Sequence, residues 1–244
     1  MIGRFEENTI YNEDCYTAIK DIPDKSIDCV YIDIPYLYDN GGAGKSELGL
    51  RIKKQNETLL NAGISDGINY EILDELCRVM KKINIFIWCS KLQLLDIMEY
   101  FIKGKGCLFE LLVWTKTNPT PAVNGTWLPD IEYCLYFKEK GVKLNDGYEL
   151  KSKWYNSAIN KKDKDKFYHP TIKPEDLVER HLRHTTQPND LVLDCFIGSG
   201  TTAIAAKNTG RRFLGFEINK KYYDIAMNRL NNTDNNGQIS LIPM

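Results

Sequence analysis

The chain lacks the features that mark several broad classes of protein. Its 244 residues carry 32 basic and 33 acidic side chains, so the formal net charge is only −1 and nothing indicates a strongly basic, chromatin-like binder. No apolar run approaches the roughly 18 residues that a membrane-spanning helix needs, and the polar N-terminus has no signal-peptide pattern. We therefore expect a cytoplasmic protein without a membrane partner.

Residues that hold metals or form disulfides are also few. The three histidines include no His-Glu-x-x-His pattern, and the seven cysteines form no Cys-x-x-Cys pair. Most of the cysteines lie inside apolar runs, as is typical of small buried hydrophobes in a reducing compartment. The sequence predicts reduced thiols and no metal site.

Strand and helix patterns alternate along most of the chain. Short runs rich in β-branched and aromatic residues alternate with amphipathic stretches such as 70–82 and 219–230. This alternation predicts an α/β fold, doubly wound, with a mostly parallel sheet and helices on both faces. Two strands predicted over 108–115 and 131–137 have no helix between them, which predicts one antiparallel edge hairpin.

The patterns indicate a single domain over residues 1–230 with two irregular insertions. Residues 37–69 are glycine-rich near their start and show little periodicity, and residues 138–168 are polar. The stretch from 138 to 173 holds ten lysines against five acids, which is typical either of a solvated loop or of a nucleic-acid surface. Residues 231–244 are Asn-rich and predict a loose tail.

A glycine-rich turn follows the strand predicted at 191–194. Gly198-Ser199-Gly200-Thr201-Thr202-Ala203 matches the G-x-G-x-x-G/A pattern, in which glycines permit a tight strand-to-helix turn and close approach of backbone to a nucleoside. Glu217 follows Gly198 by 19 residues and ends the next predicted strand, where its carboxylate can accept both hydroxyls of a ribose. On these residues alone, a nicotinamide dehydrogenase is a serious alternative.

The position of this turn argues against a dinucleotide. Only 27 residues follow Glu217, enough for one helix and a tail, whereas a dinucleotide site needs a second mononucleotide half. The other half of the sheet must therefore precede the turn, which makes the fold a circularly permuted, Rossmann-like one. Such a fold suits a mononucleoside cofactor better than NAD.

A second motif, Asp33-Ile34-Pro35-Tyr36, follows the strand predicted at 28–33. The exocyclic amine of a nucleobase is a poor nucleophile because its lone pair is delocalised into the ring. The Asp33 carboxylate can accept a hydrogen bond from such an amine, and the Tyr36 ring can stack on an extruded base for about 1–3 kcal/mol. Together the two motifs predict methyl transfer to a nucleobase amino group.

The order of the motifs resembles that of the DNA amino-methyltransferases of the beta group, in which the catalytic motif precedes the cofactor motif. The family's Asp-Pro-Phe-x-Gly-Ser-Gly-Thr-Thr stands here as Asp194-Cys195-Phe196-Ile197-Gly198-Ser199-Gly200-Thr201-Thr202, and its His-Pro-x-x-Lys-Pro as His169-Pro170-Thr171-Ile172-Lys173-Pro174. Its opening recurs as Asn12-Glu13-Asp14-Cys15, and its middle segment as Trp114-Thr115-Lys116 and Asp130-Ile131-Glu132-Tyr133. The resemblance covers residues 8–36, 108–137 and 169–230.

The resemblance implies a site-specific enzyme that moves the methyl group of S-adenosylmethionine to the N6 amine of adenine in a flipped-out base of DNA. It assigns catalysis to Asp33, Ile34, Pro35 and Tyr36. It assigns the binding of the cofactor to ten residues: Asp14, Lys173, Asp194, Phe196, Gly198, Ser199, Gly200, Thr201, Thr202 and Glu217. Simpler interpretations remain for two of these, namely Asp14 as a turn acid and Lys173 as a solvated lysine at the start of a helix.

One departure from the family lies in the catalytic motif, which is normally Asp-Pro-Pro-Tyr. The family uses the carbonyl of the residue after the aspartate as a second acceptor, and Ile34 retains that carbonyl. Ile34 lacks the fixed φ of proline, so we expect a slightly less preorganised loop, although Pro35 still favours extended backbone at Ile34. We predict an active enzyme.

The choice of adenine rests on Asp33, because family members that modify cytosine N4 more often carry serine there. Methylation of cytosine N4 is the nearest alternative, and a non-catalytic, cofactor-sensing DNA-binding protein is a more distant one. The two insertions are candidates for target recognition, and their shortness suggests a short target or a homodimer. No endonuclease motif is present, so a restriction endonuclease partner would be a separate chain.

Overall fold

The computed structural model describes residues 1–37, 67–119, 121, 127–159 and 172–232. Eight strands in these residues form one sheet: β1 (Thr9–Tyr11), β2 (Cys29–Asp33), β3 (Asn84–Cys89), β4 (Leu108–Lys116), β5 (Ile131–Lys138), β6 (Trp154–Ser157), β7 (Leu191–Asp194) and β8 (Arg212–Phe216). Their spatial order is β1-β8-β7-β2-β3-β5-β4-β6. Only β5 runs against its neighbours β3 and β4, so the sheet of the described residues is mostly parallel, as predicted.

Helices cover both faces of the sheet. One face carries α1 (Cys15–Ala18) with a 3-10 turn (Ile19–Asp21), α2 (Ile72–Val79), and α3 (Leu94–Met98) with a π-helical continuation (Glu99–Gly104). The other face carries α4 (Glu175–Thr185), α5 (Thr201–Asn208) and α6 (Lys220–Asn231). A further 3-10 turn spans Glu149–Lys151.

Alternating side chains of the central strands divide between two cores. On β2, Val30 and Ile32 pack with α1, α2 and α3, whereas Cys29 and Tyr31 pack with α4, α5 and α6. Since successive strand residues point to opposite faces, a strand buried on both faces must be apolar at nearly every position. This is why β2 and β3 are continuous apolar runs in the sequence.

The strand order confirms the circular permutation. β7 pairs with β2 in parallel, through Cys29↔Val192 and Val30↔Leu193. The ends of these two strands, Asp33 and Asp194, therefore lie at the same carboxyl edge although they are far apart in the sequence. Ligands of open α/β sheets bind at such an edge, where the chain order switches.

The antiparallel pair β4–β5 was predicted, but its place at the edge of the sheet was wrong. β6 pairs in parallel with β4 through Val113↔Trp154 and its neighbours, and so becomes the outer strand. β6 comes from the segment 138–168, for which the sequence predicted no regular structure. The four residues of β6 show no alternation of apolar and polar residues that would predict a strand. They form one because the backbone of β4 supplies their hydrogen-bond partners.

Parts of both predicted insertions, and most of the predicted tail, fall at 38–66, 160–171 and 233–244, outside the described residues. Within the described ranges, no helix is both long and apolar enough to cross a membrane. The same ranges contain no cluster of three or more side chains suited to a metal ion. All seven cysteines are free thiols, and six of them are buried.

Candidate active site

A cavity of about 420 Å³ opens at the carboxyl ends of β2, β7 and β8. Its size lies in the range of small-molecule sites. The structure brings thirteen of the fourteen predicted site residues around it: Asp14, Asp33, Ile34, Pro35, Tyr36, Lys173, Asp194, Phe196, Gly198, Ser199, Thr201, Thr202 and Glu217. The remaining one, Gly200, lies behind the cavity wall, against α6.

The glycine turn forms one wall of the cavity because its backbone takes conformations that other residues avoid. Gly198 and Gly200 have φ angles of 52° and 85°, and α5 begins directly after them. A Cβ on Gly200 would lie 3.1 Å from the Cβ of Ala226. Glycine at this position therefore serves both the left-handed backbone and the close contact between the turn and α6.

Arg229, on α6, holds the same turn from inside the protein. Its side chain is fully buried, and it donates hydrogen bonds to the Ser199 carbonyl at 2.6 Å and to the Ser199 hydroxyl at 2.8 Å. It also pairs with Glu175 at 2.6 Å. The turn is thus tied to the starts of α4 and α5 by one guanidinium.

Glu217 lies directly after β8 and joins the turn to the rim of the cavity. Its Oε2 accepts a hydrogen bond from the Gly198 N–H at 3.0 Å, and its Oε1 accepts one from the Asn219 N–H at 2.8 Å. Burial raises the pKa of this carboxyl above its usual range. A carboxylate has about four acceptor sites, so two remain for the hydroxyls of a ribose.

Asp194 and Asp14 supply two further carboxylates to the cavity. Asp194 is buried and accepts a hydrogen bond from the Phe196 N–H at 2.9 Å, and burial raises its pKa to about 7. A cation in the cavity would favour its ionised form. Asp14 caps α1 by accepting from the Tyr16 N–H at 3.0 Å, so it is a turn acid and a lining residue at once.

The Asp33-Ile34-Pro35-Tyr36 motif lines the cavity at the end of β2. Asp33 accepts a hydrogen bond on Oδ2 from the Lys173 ammonium at 2.5 Å, while its Oδ1 has no hydrogen-bond partner among the described residues. Burial raises the pKa of the Asp33 carboxyl. A buried acceptor without a partner is costly in a folded protein and therefore indicates a place for a donor from a ligand.

The backbone of this motif is fixed by neighbours that the sequence did not reveal. Gln93 is fully buried and donates to the Pro35 carbonyl at 3.0 Å, and it accepts from the Leu37 N–H at 3.3 Å. Ile34 is buried in the core, and its N–H donates to the Trp88 carbonyl at 3.2 Å. Burial and these hydrogen bonds supply rigidity that a proline ring would otherwise give.

Replacing Ile34 by proline, which restores the family's usual residue, is expected to destabilise this protein. Proline lacks the N–H that binds Trp88 and leaves part of the isoleucine's buried volume empty, so the free energy of unfolding should fall by about 1–3 kcal/mol. Urea denaturation of the variant and the wild type measures this difference. A variant as stable as the wild type, or a faster enzyme, would show that the loop needs proline's fixed φ more than these contacts.

Lys173 is buried, so its interpretation as a solvated lysine at the start of a helix was wrong. It lines the cavity, and its ammonium lies beside Asp33, at 3.0 Å from Glu132 and 3.3 Å from the Tyr36 hydroxyl. The physical reason is that the chain before α4 passes the end of β2, so a long side chain at this position reaches Asp33 and Tyr36.

Several residues of the site had no role in the prediction. Gln93, Glu132 and Arg229 each contact predicted residues, and Lys116 pairs with Glu132 at 2.6 Å. Two signals were available for Lys116 and Glu132. Both belong to the segments that match the family's middle segment, and both are charged residues in largely apolar strands, where buried charges occur in pairs. Their partners cannot be identified before the strands are arranged.

Comparisons with known proteins agree with this geometry. The family model described as DNA methylase matches residues 27–228. The chain is 30% identical to the Type II methyltransferase M2.LlaDCHI of Lactococcus lactis subsp. cremoris, over 93% of this chain and 90% of that protein. It is 29% identical to the Type II methyltransferase M2.DpnII of Streptococcus pneumoniae, over 91% and 88%. The solved complex of M1.HpyAVI with SAM matches with a TM-score of 0.66 and 25% identity, over 91% of this chain and 98% of that one.

Proposed function

Because this chain belongs to the DNA methylase family, and is therefore an S-adenosylmethionine-dependent DNA methyltransferase, we propose that it methylates the N6 amine of adenine at a specific DNA site. The observation that carries the proposal is the unpartnered Oδ1 of Asp33. This acceptor lies in a cavity whose other wall is the nucleoside-type glycine turn. The leading aspartate favours adenine, since family members that act on cytosine N4 more often carry serine there.

The residues around the glycine turn fit S-adenosylmethionine. The cofactor supplies an electrophilic methyl group on a sulfonium when it is bound. The glycine turn lets the backbone approach it, and the free acceptor sites of Glu217 suit the ribose hydroxyls. Asp194 offers a buried carboxylate to a cationic group, and Phe196 offers an apolar flank. Asp14 lines the same cavity near the start of α1.

The residues of the Asp33–Tyr36 motif fit the amine of an extruded base. Flipping the base costs a few kcal/mol, which stacking on Tyr36 offsets by about 1–3 kcal/mol. Asp33 Oδ1 and the Ile34 carbonyl accept the two N–H groups, which draws the nitrogen towards tetrahedral geometry and localises its lone pair. The nitrogen would then take the methyl group directly, without a covalent enzyme intermediate. The C–S bond of the sulfonium would break as the C–N bond forms, the sulfur would leave as a neutral thioether, and one proton of the amine would pass to Asp33 or to water.

The two insertions, 37–69 and 138–168, are the proposed target-recognition segments of a single domain spanning residues 1–230. The described ends of the first insertion support this role, because Gly67 lines the cavity and Leu37 directly follows the Asp33–Tyr36 motif. Phosphate contacts from the lysines would position the DNA, and base-edge contacts would provide specificity. A homodimer and a separate restriction endonuclease are further proposed partners in the cytoplasm.

Incubation of DNA with radiolabelled S-adenosylmethionine, followed by digestion to nucleosides, tests the proposal. We expect the label in N6-methyladenine and its absence when Asp33 is replaced by asparagine. Label in N4-methylcytosine would show that the substrate is cytosine and not adenine. Cofactor binding without any label in DNA would instead indicate a non-catalytic sensor.

A further inference from the structure

Four charged side chains form a chain that ends on the catalytic carboxylate. Lys116 on β4 lies 2.6 Å from Glu132 Oε1 on β5, and Glu132 Oε2 lies 3.0 Å from the ammonium of Lys173. The same ammonium lies 2.5 Å from Asp33 Oδ2. The positive and negative charges alternate and balance, and Lys173 retains only 6% of its side-chain exposure.

The surroundings of Lys173 restrict its ammonium to one place. The ammonium lies 5.0 Å from the ring centroid of Trp88 and 5.4 Å from that of Tyr36, at distances typical of cation–π contacts. Glu132 is its second carboxylate partner, at 3.0 Å. Since a buried charge is tolerated only with its partners in place, the ammonium cannot leave Asp33 without losing several contacts at once.

We propose that Lys173 is a positioning residue, whose ammonium, held by Glu132 and Lys116, binds Oδ2 of Asp33 and leaves Oδ1 for the amine of the base. This inference rests on the proposed function. A carboxylate at the end of a strand has two equivalent oxygens and a free rotation about χ2, so either oxygen could otherwise meet the base. Occupying one oxygen fixes the rotation and keeps the other in a single position.

The charges also act on the protonation of Asp33. Burial raises the pKa of its carboxyl, Lys173 lowers it, and Glu132 raises it again. Burial alone would lower the pKa of Lys173, but Asp33 and Glu132 outweigh it and raise that pKa above its usual range. Burial would likewise raise the pKa of Glu132, but Lys173 and Lys116 outweigh it and hold it at about 2. Lys173 and Glu132 thus stay charged and have opposite effects on the pKa of Asp33.

Besides Lys173 and Glu132, five titratable groups lie near Asp33, on β2, β3, β5, β7 and the loops beside them. These five are Tyr36, Tyr31, Cys89, Cys134 and Asp194. Burial raises the pKa of both tyrosines and both thiols, so these four are neutral near pH 7. Asp194, with a pKa of about 7, titrates in all variants alike.

Two substitutions should therefore move the acid limb of the pH–rate profile in opposite directions. Lys173→Met removes the group that favours the Asp33 carboxylate, so the limb should move to higher pH. Glu132→Gln removes a charge that disfavours this carboxylate, so the limb should move to lower pH. Lys173→Met should also lower the single-turnover rate by about 10²-fold through loss of positioning, with cofactor affinity unchanged. A purely structural role predicts no such opposite shifts.

The test measures single-turnover methylation of DNA from acid to neutral pH, with cofactor affinity by calorimetry on the same proteins. Lys103→Met is the matched control, because this exposed lysine pairs with Glu99 at 3.0 Å, outside the cavity and outside both insertions, and should leave both quantities unchanged. If Lys173→Met does not fold, Glu132→Gln alone decides the question.

An unmoved acid limb in Glu132→Gln, or a shift to higher pH, would overturn the inference. An equal loss of rate and cofactor affinity in a folded Lys173→Met would also overturn it, because Lys173 would then act on the cofactor. These outcomes require a wild-type enzyme that labels DNA. A wild type that leaves DNA unlabelled would overturn the proposed function, and the inference with it.

Discussion

Replacing Asp33 by asparagine is expected to lower the rate of methyl transfer by about 10³-fold while leaving the affinity for S-adenosylmethionine within about twofold of the wild type. The substitution keeps the shape of the side chain but removes its charge. The ammonium of Lys173 would attract the amide oxygen, which turns the amide NH2 towards the base. A donor would then face the substrate's amine where the reaction requires an acceptor.

The loss should appear in the chemical step and not in the binding of the cofactor, because under the proposed function Asp33 interacts with charge that develops only as the methyl group is transferred. Single-turnover kinetics with duplex DNA separate this step from product release, and calorimetry gives the cofactor affinity. Asp28→Asn is a matched control, since Asp28 precedes the same strand at its other end, where it pairs with Lys81 at 2.7 Å. Near-normal methylation by Asp33→Asn would mean that another group accepts the amine.

Replacing Arg229 by methionine is expected to reduce the free energy of unfolding by about 3–5 kcal/mol and to abolish measurable binding of the cofactor. Removing one partner of a buried ion pair leaves the other charge and its acceptors uncompensated. Here Glu175 would lose its cation, and the Ser199 carbonyl would lose a donor at 2.6 Å. The glycine turn, held in a left-handed conformation from behind, would then relax away from the geometry that the cofactor needs.

Urea denaturation and calorimetry with S-adenosylmethionine measure the two effects. Arg183→Met on α4 is a suitable control, because Arg183 is half-exposed and pairs with Glu179 one helical turn away, so its loss should cost less than about 1 kcal/mol. If Arg229→Met lost no more stability than this control and still bound the cofactor, the turn would be held by its glycines alone.

Agreement between the predicted and the observed strands depends on whether a strand is stabilised by its own buried residues or by a distant partner. The strands β2 and β7 were predicted within one residue at each end, because both faces are buried and their apolar runs end at polar turns. β6 was missed because its pairing with β4 is a contact between distant segments. The antiparallel pair was recognised, but its place in the sheet depended on that missing strand.

The site residues that could be predicted from the sequence belong to short, continuous motifs. A glycine turn between a strand and a helix, and an Asp-x-Pro-Tyr loop after a strand, are recognisable because each motif is a short stretch with its own backbone requirements. The carboxyl edge brings such loops together in any parallel sheet, which explains why thirteen of the predicted residues surround one cavity.

The two motifs, their permuted order and hence the class of fold and cofactor are recognisable in the amino-acid sequence, since strand ends, glycines and prolines constrain the chain locally. The surroundings of the Asp33 carboxylate become defined only in the folded protein. Lys173 meets Asp33 across 140 residues of sequence, and Glu132 and Lys116 reach them from two other strands. Charges act through space, so their partners become defined only when the packed sheet brings them within a few ångströms in a buried, water-poor site.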